Sequence, residues 1–395
     1  MKLNDWFTRN KIILIIVLFI GGVANSQTKK TAISGVVMDE YGYGIPYAAI
    51  SIAKSNVGTS TIEDGSFNLM VSEKNYGDTL SISSIGFKTK KIRIGDYVSK
   101  KNKTIILDEI TTKLTDIKLL SNVEYVKRAL KHLKYNTISK PHELNILYRR
   151  ASVEDNKSRF FVEHYMKLLD EGPSGILRKI EVVEGRKSSD YRMVKRTQFS
   201  HSVNYMITHN PLRQGINIKT YKWSKIGDSN YDGEDIVIIE GRKSKNNFIR
   251  LYIGMDIYKI YKIETSKGNA TFLYKKNEEG ELYLSYHNRE SKSNIEPNEE
   301  LKRSFRIANR EIPKKIKIAY RHEVFVLGLE TDKNKINVNN FGGYGIDIGD
   351  VEVPYNEQFW KSFAMPPDTE FFKRIKTELE SHFGVALETQ YKLSN

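Results

Sequence analysis

Short runs of alternating apolar and polar residues fill the chain between Thr31 and Asp108. The clearest runs have apolar residues at every second position: Ile50 and Ile52; Phe67, Leu69 and Val71; Leu80 and Ile82; Ile92 and Ile94. A period of two places one face of a strand on a core and the other in water. Turn sequences such as Glu63-Asp64-Gly65 separate the runs. The pattern predicts six or seven short strands in a sandwich or small barrel.

The apolar pattern becomes helical near residue 122. Ser121 and Glu124 have the spacing of a capping box. Apolar residues follow at helical spacing: Val123, Val126, Leu130 and Leu133. We therefore predict an amphipathic helix over residues 122–135, ended by the stretch from Asn136 to Pro141.

Longer strand-like runs occupy the rest of the chain. Eight of them are clear: Leu144–Ala151, Phe160–Leu169, Gly175–Val183, Asp235–Glu240, Phe248–Ile253, Ile257–Glu264, Glu281–His287 and Ile316–Leu327. Gly and Asn turns between several of these runs favour an antiparallel meander. Near the C-terminus, Asp368 stands where it could cap a helix that has Phe372, Ile375, Leu379 and Phe383 on one face.

The N-terminal segment has the pattern of a cleavable signal peptide. Lys2, Arg9 and Lys11 precede an unbroken apolar run over residues 12–20, and the small residues Ala24 and Ser26 precede a cut before Gln27. The alternative, an uncleaved anchor, needs about 20 apolar residues, which is more than this run contains. We expect residues 1–26 to be removed on export, so that the mature protein has no integral membrane span.

The first strand region carries the motifs of a known domain family. The motifs are Ser34-Gly35-Val36-Val37 with Asp39, Gly44-Ile45-Pro46-Tyr47-Ala48-Ala49-Ile50, Gly58-Thr59-Ser60-Thr61, Asp64-Gly65-Ser66-Phe67 and Ser84-Ile85-Gly86-Phe87. In this order they resemble the carboxypeptidase regulatory-like domain. The resemblance implies a transthyretin-like Greek-key β-sandwich whose turn glycines and Phe67 are structural and not catalytic. Glu63 departs from the family pattern, in which Thr or Ser more often precedes the Asp.

The second region is similar to the C-terminal part of exported proteins of unassigned function that share this order of signal, sandwich, helix and sheet. The similar segments are Leu144–Arg150, Ile236–Gly241 with Phe248–Glu264, and Phe359–Phe363. The predicted sheet also resembles the half-barrel of periplasmic lipoprotein carriers, and such a likeness of fold does not by itself imply a function.

Together the patterns predict a mainly β protein. We expect an N-terminal Greek-key β-sandwich followed by an α+β domain with a curved antiparallel sheet and flanking helices. The predicted boundaries are residues 27–110 for the sandwich and 111–142 for the linker and amphipathic helix. Residues 143–395 then form the antiparallel sheet domain with its C-terminal helix.

Composition narrows the classes of function. The 395 residues include 63 Lys and Arg against 48 Asp and Glu, a formal net charge of +15. The basic residues are spread over nearly the whole chain with no compact run of five or more, which favours a solvated basic surface over a nucleic-acid site. The chain has no cysteine. This excludes disulfides, thiolate metal sites, thiol catalysis and the acylated N-terminal Cys of bacterial lipoproteins.

The sequence does not support either of two domains that can follow a regulatory-like sandwich in one chain. A zinc carboxypeptidase needs clustered His and Glu ligands, whereas no second His follows the pair His322-Glu323 four residues later. We expect both residues in a strand. The chain after the sandwich is also too short for the transmembrane barrel of a TonB-dependent receptor.

Other polar clusters give weak indications of chemistry. Gly342, Gly343, Gly345 and Gly349 with Asp347 and Asp350 indicate a surface loop, since two Asp supply too few ligands for Ca²⁺. Gly172-Pro173-Ser174-Gly175 lacks the spacing of a nucleophile elbow and predicts a turn. Asp232, Glu234 and Asp235 fall in a predicted hairpin loop without a companion base. Trp223 and Trp360 could stack on a ligand, although we expect them to pack in a core or interface.

We therefore expect no enzyme, no cofactor and no metal site, and the ligand-binding residues stay unknown. The leading hypothesis is a non-catalytic cell-envelope protein that binds a partner protein or a glycan, in the periplasm or at the outer-membrane periphery of a Gram-negative bacterium. An alternative is a periplasmic carrier of a lipophilic ligand, which predicts an enclosed apolar cavity of several hundred Å³. A third is a hydrolase with an unrecognised site.

Overall fold

The computed structural model describes residues 30–52, 55–110, 120–194, 209–339 and 347–394. Within these residues the chain forms 17 strands in three sheets. The described helices are α1 (Ile94–Ser99), α2 (Asn122–Lys131), α3 (Leu133–Asn136), α4 (Pro211–Gln214), α5 (Glu299–Ile307), α6 (Glu357–Ser362), α7 (Glu370–Phe383) and α8 (Leu387–Ser394). The predicted signal peptide, residues 1–26, lies outside the described residues.

Two small sheets build the N-terminal sandwich. Its strands are β1 (Lys30–Met38), β2 (Ala49–Ile52), β3 (Gly58–Ser60), β4 (Ser66–Ser72), β5 (Thr79–Ser83), β6 (Lys90–Arg93) and β7 (Thr104–Ile106). They pair in the orders β4-β1-β7 and β3-β2-β5-β6. Apolar residues of the predicted runs fill the core: Ile50, Ile52, Phe67, Leu69, Val71, Leu80 and Ile82. Ile94 is also buried, but it begins helix α1, and its N–H still bonds to the carbonyl of Asp78 next to β5.

The third sheet has ten antiparallel strands. They are β8 (His142–Glu154), β9 (Lys157–Asp170), β10 (Leu177–Lys187), β11 (Lys222–Tyr231), β12 (Glu234–Ser244), β13 (Asn247–Gly254), β14 (Ile260–Thr265), β15 (Ala270–Lys276), β16 (Leu282–Ile295) and β17 (Ile316–Glu330). The order is β10-β9-β8-β17-β16-β15-β14-β13-β12-β11, so two meanders meet where β8 pairs with β17. This curved sheet with its helices is the architecture that the sequence predicts.

Side chains of the central strands alternate between two faces of the large sheet. We call the face with Leu144, Ile146 and Val326 the cavity face, and the face with Leu147 and Phe325 the sandwich face. Helices α7 and α8 pack against β9 and β10, and helix α2 packs against β11 and β13.

The sandwich is docked on the large sheet along its sandwich face. Strand β3 contacts β16 and β17, and Ile62 is buried in one cluster with Leu147 and Phe325. Backbone hydrogen bonds cross the boundary, among them one of 2.7 Å from the N–H of Gly86 to the carbonyl of Asn230. The sandwich is therefore packed against the sheet and is not a pendant module.

The helices follow the predicted apolar faces, with two corrections at their N-termini. The predicted capping box of α2 is wrong: the Ser121 side chain makes no capping hydrogen bond, and the Glu124 carboxylate pairs with Arg128 instead. The predicted helix over residues 122–135 is present as α2 and α3, with a break at His132. In α7, Phe372, Ile375 and Leu379 are buried as expected. The predicted cap Asp368 is wrong: the Thr369 hydroxyl caps α7, because the Asp368 carboxylate instead accepts from Lys376 Nζ at 2.8 and 3.0 Å.

In the part of the chain that the structure describes, no helix is long and apolar enough to cross a bilayer.

Candidate ligand-binding site

An apolar cavity lies between the cavity face and the segments that cover it. Its empty space is about 620 Å³, the mouth included. The apolar wall from the sheet consists of Leu144, Ile146, Leu168, Phe272, Leu282, Leu284, Val324 and Val326. Ile138 and the turn Gly172-Pro173 line it from outside the strands. Apolar side chains with a few polar groups are typical of a small-molecule site.

The cavity is narrow. Little of its space is wide enough for a water molecule. An acyl chain or a ring therefore enters only when lining side chains rotate apart, a change that is common on ligand binding.

Polar groups gather where β9 ends and α4 begins. The Arg213 guanidinium donates to Asp170 Oδ2 at 2.5 Å. Asp170 Oδ1 is buried in the cavity wall and has no hydrogen-bond partner among the described residues. A buried acceptor without a partner is costly, since its hydration is lost and nothing replaces it. A ligand that donates a hydrogen bond at this point would remove that cost.

Asn210 and Tyr274 form the second polar pair of the cavity. Asn210 Nδ2 donates to the Tyr274 hydroxyl at 2.5 Å, and the side-chain oxygen of Asn210 caps α4. Burial raises the pKa of Tyr274 to about 12. The phenol is therefore protonated at neutral pH and its hydrogen is available to an acceptor on a ligand.

Two histidines meet at the cavity wall, which His287 lines and His322 contacts from behind. The ring of His287 stacks on Phe272 with centroids 4.1 Å apart, and its Nε2 is 3.1 Å from Nε2 of His322. Burial lowers the pKa of His287 to about 3, so this ring is neutral. His322 lies in β17 beside Glu323, as the alternation predicts. A search of the described residues found no group of three or more His, Asp or Glu side chains that could hold a metal ion.

The acidic residues singled out from the sequence have structural partners. Asp232 pairs with Lys276 at 3.2 Å, Asp235 accepts from Asn230, and Glu234 accepts from the Tyr261 hydroxyl. Asp347 pairs with Arg150 at 2.7 Å in a buried position. Burial alone would raise the pKa of Asp347, but the guanidinium of Arg150 outweighs this and holds it at about 2. Gly342, Gly343 and Gly345 lie outside the described residues.

The two tryptophans are packing residues, as expected. Trp360 is 5% exposed, and the guanidinium of Arg186 lies 4.6 Å from its ring centroid. Trp223 Nε1 donates to the carbonyl of Ile218 at 3.0 Å, and its ring leaves no room for a Cβ at Gly241. Gly172 to Gly175 forms the predicted turn, closed by a 3.1 Å hydrogen bond.

A buried charge cluster holds α7 on the sandwich face. Glu163 is fully buried, with Arg186 at 2.5 Å, Arg149 at 3.4 Å and Lys376 at 3.8 Å. Burial alone would raise the pKa of Glu163, but these three cations outweigh it and hold the pKa at about 2. The carboxylate is therefore ionised at neutral pH and serves as a structural counter-ion.

A wider groove lies on the sandwich face between β4 and α6. It has about 1380 Å³ of empty space and is lined by Leu69, Val71, Leu327, Phe359 and Phe363 among others. The groove is more open to solvent than the cavity. The more enclosed of the two sites is therefore on the cavity face, and it must widen to admit a lipophilic ligand.

Sequence reasoning did not identify Asp170, Asn210 or Arg213. Each stands alone in the sequence, without a motif around it. Asp170 ends a long strand and Arg213 lies in a four-residue helix. Their meeting depends on tertiary contacts, so no local pattern could have shown it.

Comparisons with known proteins support the N-terminal assignment. Residues 33–118 match the family model described as the CarboxypepD_reg-like domain, which confirms the resemblance noted from the motifs. A search of the curated proteins found no match.

Three solved structures are similar to the chain at low scores. A putative outer membrane lipoprotein-sorting protein domain from Vibrio parahaemolyticus has a TM-score of 0.27 and 10% identity over 55% of this chain and 94% of its own. A DUF1329 family protein from Desulfovibrio piger has a TM-score of 0.24 and 11% identity, over 55% of this chain and 96% of its own. A LolA superfamily protein from Nitrosomonas europaea has a TM-score of 0.23 and 13% identity, over 54% of this chain and 95% of its own. Scores this low carry no argument about function.

Proposed function

We propose that this protein is a non-catalytic carrier of a lipophilic molecule in the periplasm of a Gram-negative bacterium. The observation that carries the proposal is the narrow apolar cavity on the cavity face, with the unpaired Asp170 Oδ1 in its wall. The N-terminal pattern of a cleavable signal supports the location.

The chemistry of the wall indicates what the ligand carries. Its apolar part lies among aliphatic side chains of β8 and β17, and its polar end meets Asp170. Because Arg213 already neutralises this carboxylate at 2.5 Å, the free Oδ1 favours a neutral donor such as a hydroxyl or an amide N–H. The preferred ligand is thus an amphiphile with a hydrogen-bond donor next to an apolar chain.

The proposal favours the carrier over the glycan binder and the enzyme. The two tryptophans that the sequence suggested as stacking residues for a glycan are not available, because Trp360 is buried and Trp223 packs against the backbone. A hydrolase that forms a covalent intermediate needs a nucleophile beside a base. The described residues of the cavity wall include no Ser, Thr, Cys or Lys, the carboxylate of Asp170 there is held by Arg213, and the raised pKa of Tyr274 keeps its phenol neutral.

The test measures how tightly the mature chain binds a fluorescent apolar dye, N-phenyl-1-naphthylamine. Val326→Phe narrows the cavity and is expected to weaken dye binding at least tenfold. The matched control is Leu327→Phe, which adds bulk at the next residue but toward the wide groove on the opposite face. Equal dye affinity in the two variants, or no dye binding by the wild type, would overturn the proposal.

A second measurement tests the role of Asp170. Dodecanol carries a hydroxyl donor, and dodecyl methyl ether of similar shape lacks it. We expect the wild type to prefer the alcohol in competition with the dye, and Asp170→Asn to reduce this preference. Comparing two competitors on the same variant removes any effect of the substitution on overall stability. An equal preference in wild type and variant would contradict the assignment of Asp170.

A further inference from the structure

The connection between β16 and β17 carries an amphipathic helix at one end of the large sheet. Leu301 and Phe305 of α5 are half-buried against the cluster of Ile295, Ile316, Ile318 and Tyr320. Arg303 and Ile307 follow these two anchors by two positions. Since successive helical residues turn by about 100°, they lie on the opposite, outward side of α5. The helix is therefore fixed by one face and presents the other to solvent.

The outward side and the chain that follows it form a basic surface. We call it the basic tip and define it by seven exposed residues: Arg303, Arg306, Ile307, Arg310, Lys314, Lys315 and Lys317. From Leu301 to Lys317 the chain has seven basic residues and one acidic residue, Glu311, so its formal charge is 7 − 1 = +6.

None of the six basic side chains of the tip forms an ion pair with a carboxylate among the residues that the structure describes. Two carboxylates lie nearby: that of Glu299, whose pKa is lowered by Lys302 and to a smaller extent by Arg306, and that of Asp155, which accepts from the backbone N–H of Lys317 at 2.9 Å. Like charges held this close repel one another and lower stability. An anionic partner would remove that repulsion. Ile307 is 78% exposed in the middle of these charges, and nothing in the fold of the described residues covers it.

We propose that the basic tip docks on an anionic lipid surface. Six cations close together attract anionic headgroups, each with about 1 kcal/mol near the surface. An exposed Ile on an amphipathic helix adds apolar burial at the headgroup boundary. Single-stranded nucleic acid would instead require exposed aromatic rings for base stacking, whereas Phe305, the aromatic residue of α5, points into the core. The inference does not depend on the cavity or on what the cavity binds.

The test is co-sedimentation of the full mature chain with vesicles. We expect binding to vesicles of phosphatidylcholine mixed with phosphatidylglycerol, weaker binding at high salt, and no binding to pure phosphatidylcholine. The triple variant Arg303→Gln, Arg306→Gln, Arg310→Gln is expected to bind on the order of 100-fold more weakly, at about fivefold per residue. Ile307→Ser, made in the wild type, is expected to weaken vesicle binding as well, but without changing its dependence on salt.

The matched control removes the same charge from another surface. Lys91, Arg93 and Lys100 are exposed on the sandwich and have no ion pair with a described carboxylate. Their triple Gln variant should bind the mixed vesicles nearly as the wild type does. Circular dichroism checks that both variants are folded.

Three outcomes would overturn the inference. They are absence of wild-type binding to the mixed vesicles, equal losses in the tip and control variants, and tip-dependent binding to a DNA duplex in place of the vesicles. The second would mean that net charge, and not the tip, governs binding.

Discussion

Lys275 places an ammonium group inside the interface between the large sheet and the sandwich. The residue is 5% exposed, and its Nζ lies so close to Gly58 of β3 that a Cβ there would be 2.6 Å away. The ring centroid of Tyr283 is 5.2 Å from the same nitrogen. No carboxylate of the described chain pairs with it. We predict that Lys275→Met stabilises the protein, because Met keeps the unbranched shape and removes the charge.

The magnitude follows from the pKa. Burial lowers the pKa of Lys275 from 10.5 to about 8. Between pH 8 and pH 10.5 the unfolded chain binds more protons than the folded one. The free-energy cost of burying the charged ammonium is therefore complete below pH 8 and disappears as the pH rises to 10.5. The shift corresponds to about 3 kcal/mol at pH 7. The gain from Met is therefore about 3 kcal/mol at pH 7 and less than half of that at pH 9.5.

The assay is urea unfolding of the wild type and the variant at pH 7 and pH 9.5. Lys245→Met is the control, since Lys245 is exposed in the β12–β13 turn and should change stability by less than about 0.5 kcal/mol. Other groups that titrate above pH 8 affect the wild type and the variant alike. The reasoning fails if Met gives no gain at pH 7, or if the gain is the same at both pH values.

Two further substitutions test the buried contacts by the same unfolding measurement. Glu163→Gln should lower the free energy of unfolding by about 3 kcal/mol at neutral pH. This loss should shrink as the pH falls from 4.5 toward 2, because the wild-type carboxylate then becomes protonated as well. The control is Glu278→Gln at an exposed position, which should leave the stability unchanged. Gly35→Ala should lower the free energy of unfolding by about 1–3 kcal/mol, because the new Cβ would lie 2.0 Å from the Tyr97 hydroxyl. That hydroxyl donates to the carbonyls of Ser34 and Lys103. The control is Gly77→Ala, since Gly77 has open space around it.

Most of the strands could be predicted because one face of each is buried. Phe67, Leu69 and Val71, for example, are all in the sandwich core, and the residues between them, Asn68 and Met70, are half-buried. Strands β11 and β15 were missed. In β11, Ile226 is an extra residue between the pairs Lys225–Ile239 and Gly227–Ile238. A bulge of this kind moves later side chains to the other face, so the alternation that identifies a strand is interrupted.

The cavity could not be predicted from sequence because its wall is assembled from distant segments. Leu144 and Val326 are recognisable as strand residues, but whether apolar neighbours fill a core or border an empty space depends on their packing. The unpaired state of Asp170 Oδ1 depends on the placement of Arg213, which the sequence separates from it by more than forty positions. Periodicity reports which side of a strand is buried and not what that side contacts.

Tyr283 connects the cavity to the sandwich interface. It lines the cavity, and its ring lies beside the ammonium of Lys275, which in turn abuts β3. Because the cavity is narrow, a ligand that displaces the Tyr283 ring also changes the surroundings of Lys275 and thereby the packing of the sandwich. Binding and sandwich docking are then linked, and the linkage is reciprocal. Lys275→Met leaves the cavity wall unchanged, so a different dye affinity in this variant would measure the coupling, and an unchanged affinity would show that Tyr283 stays in place when the ligand binds.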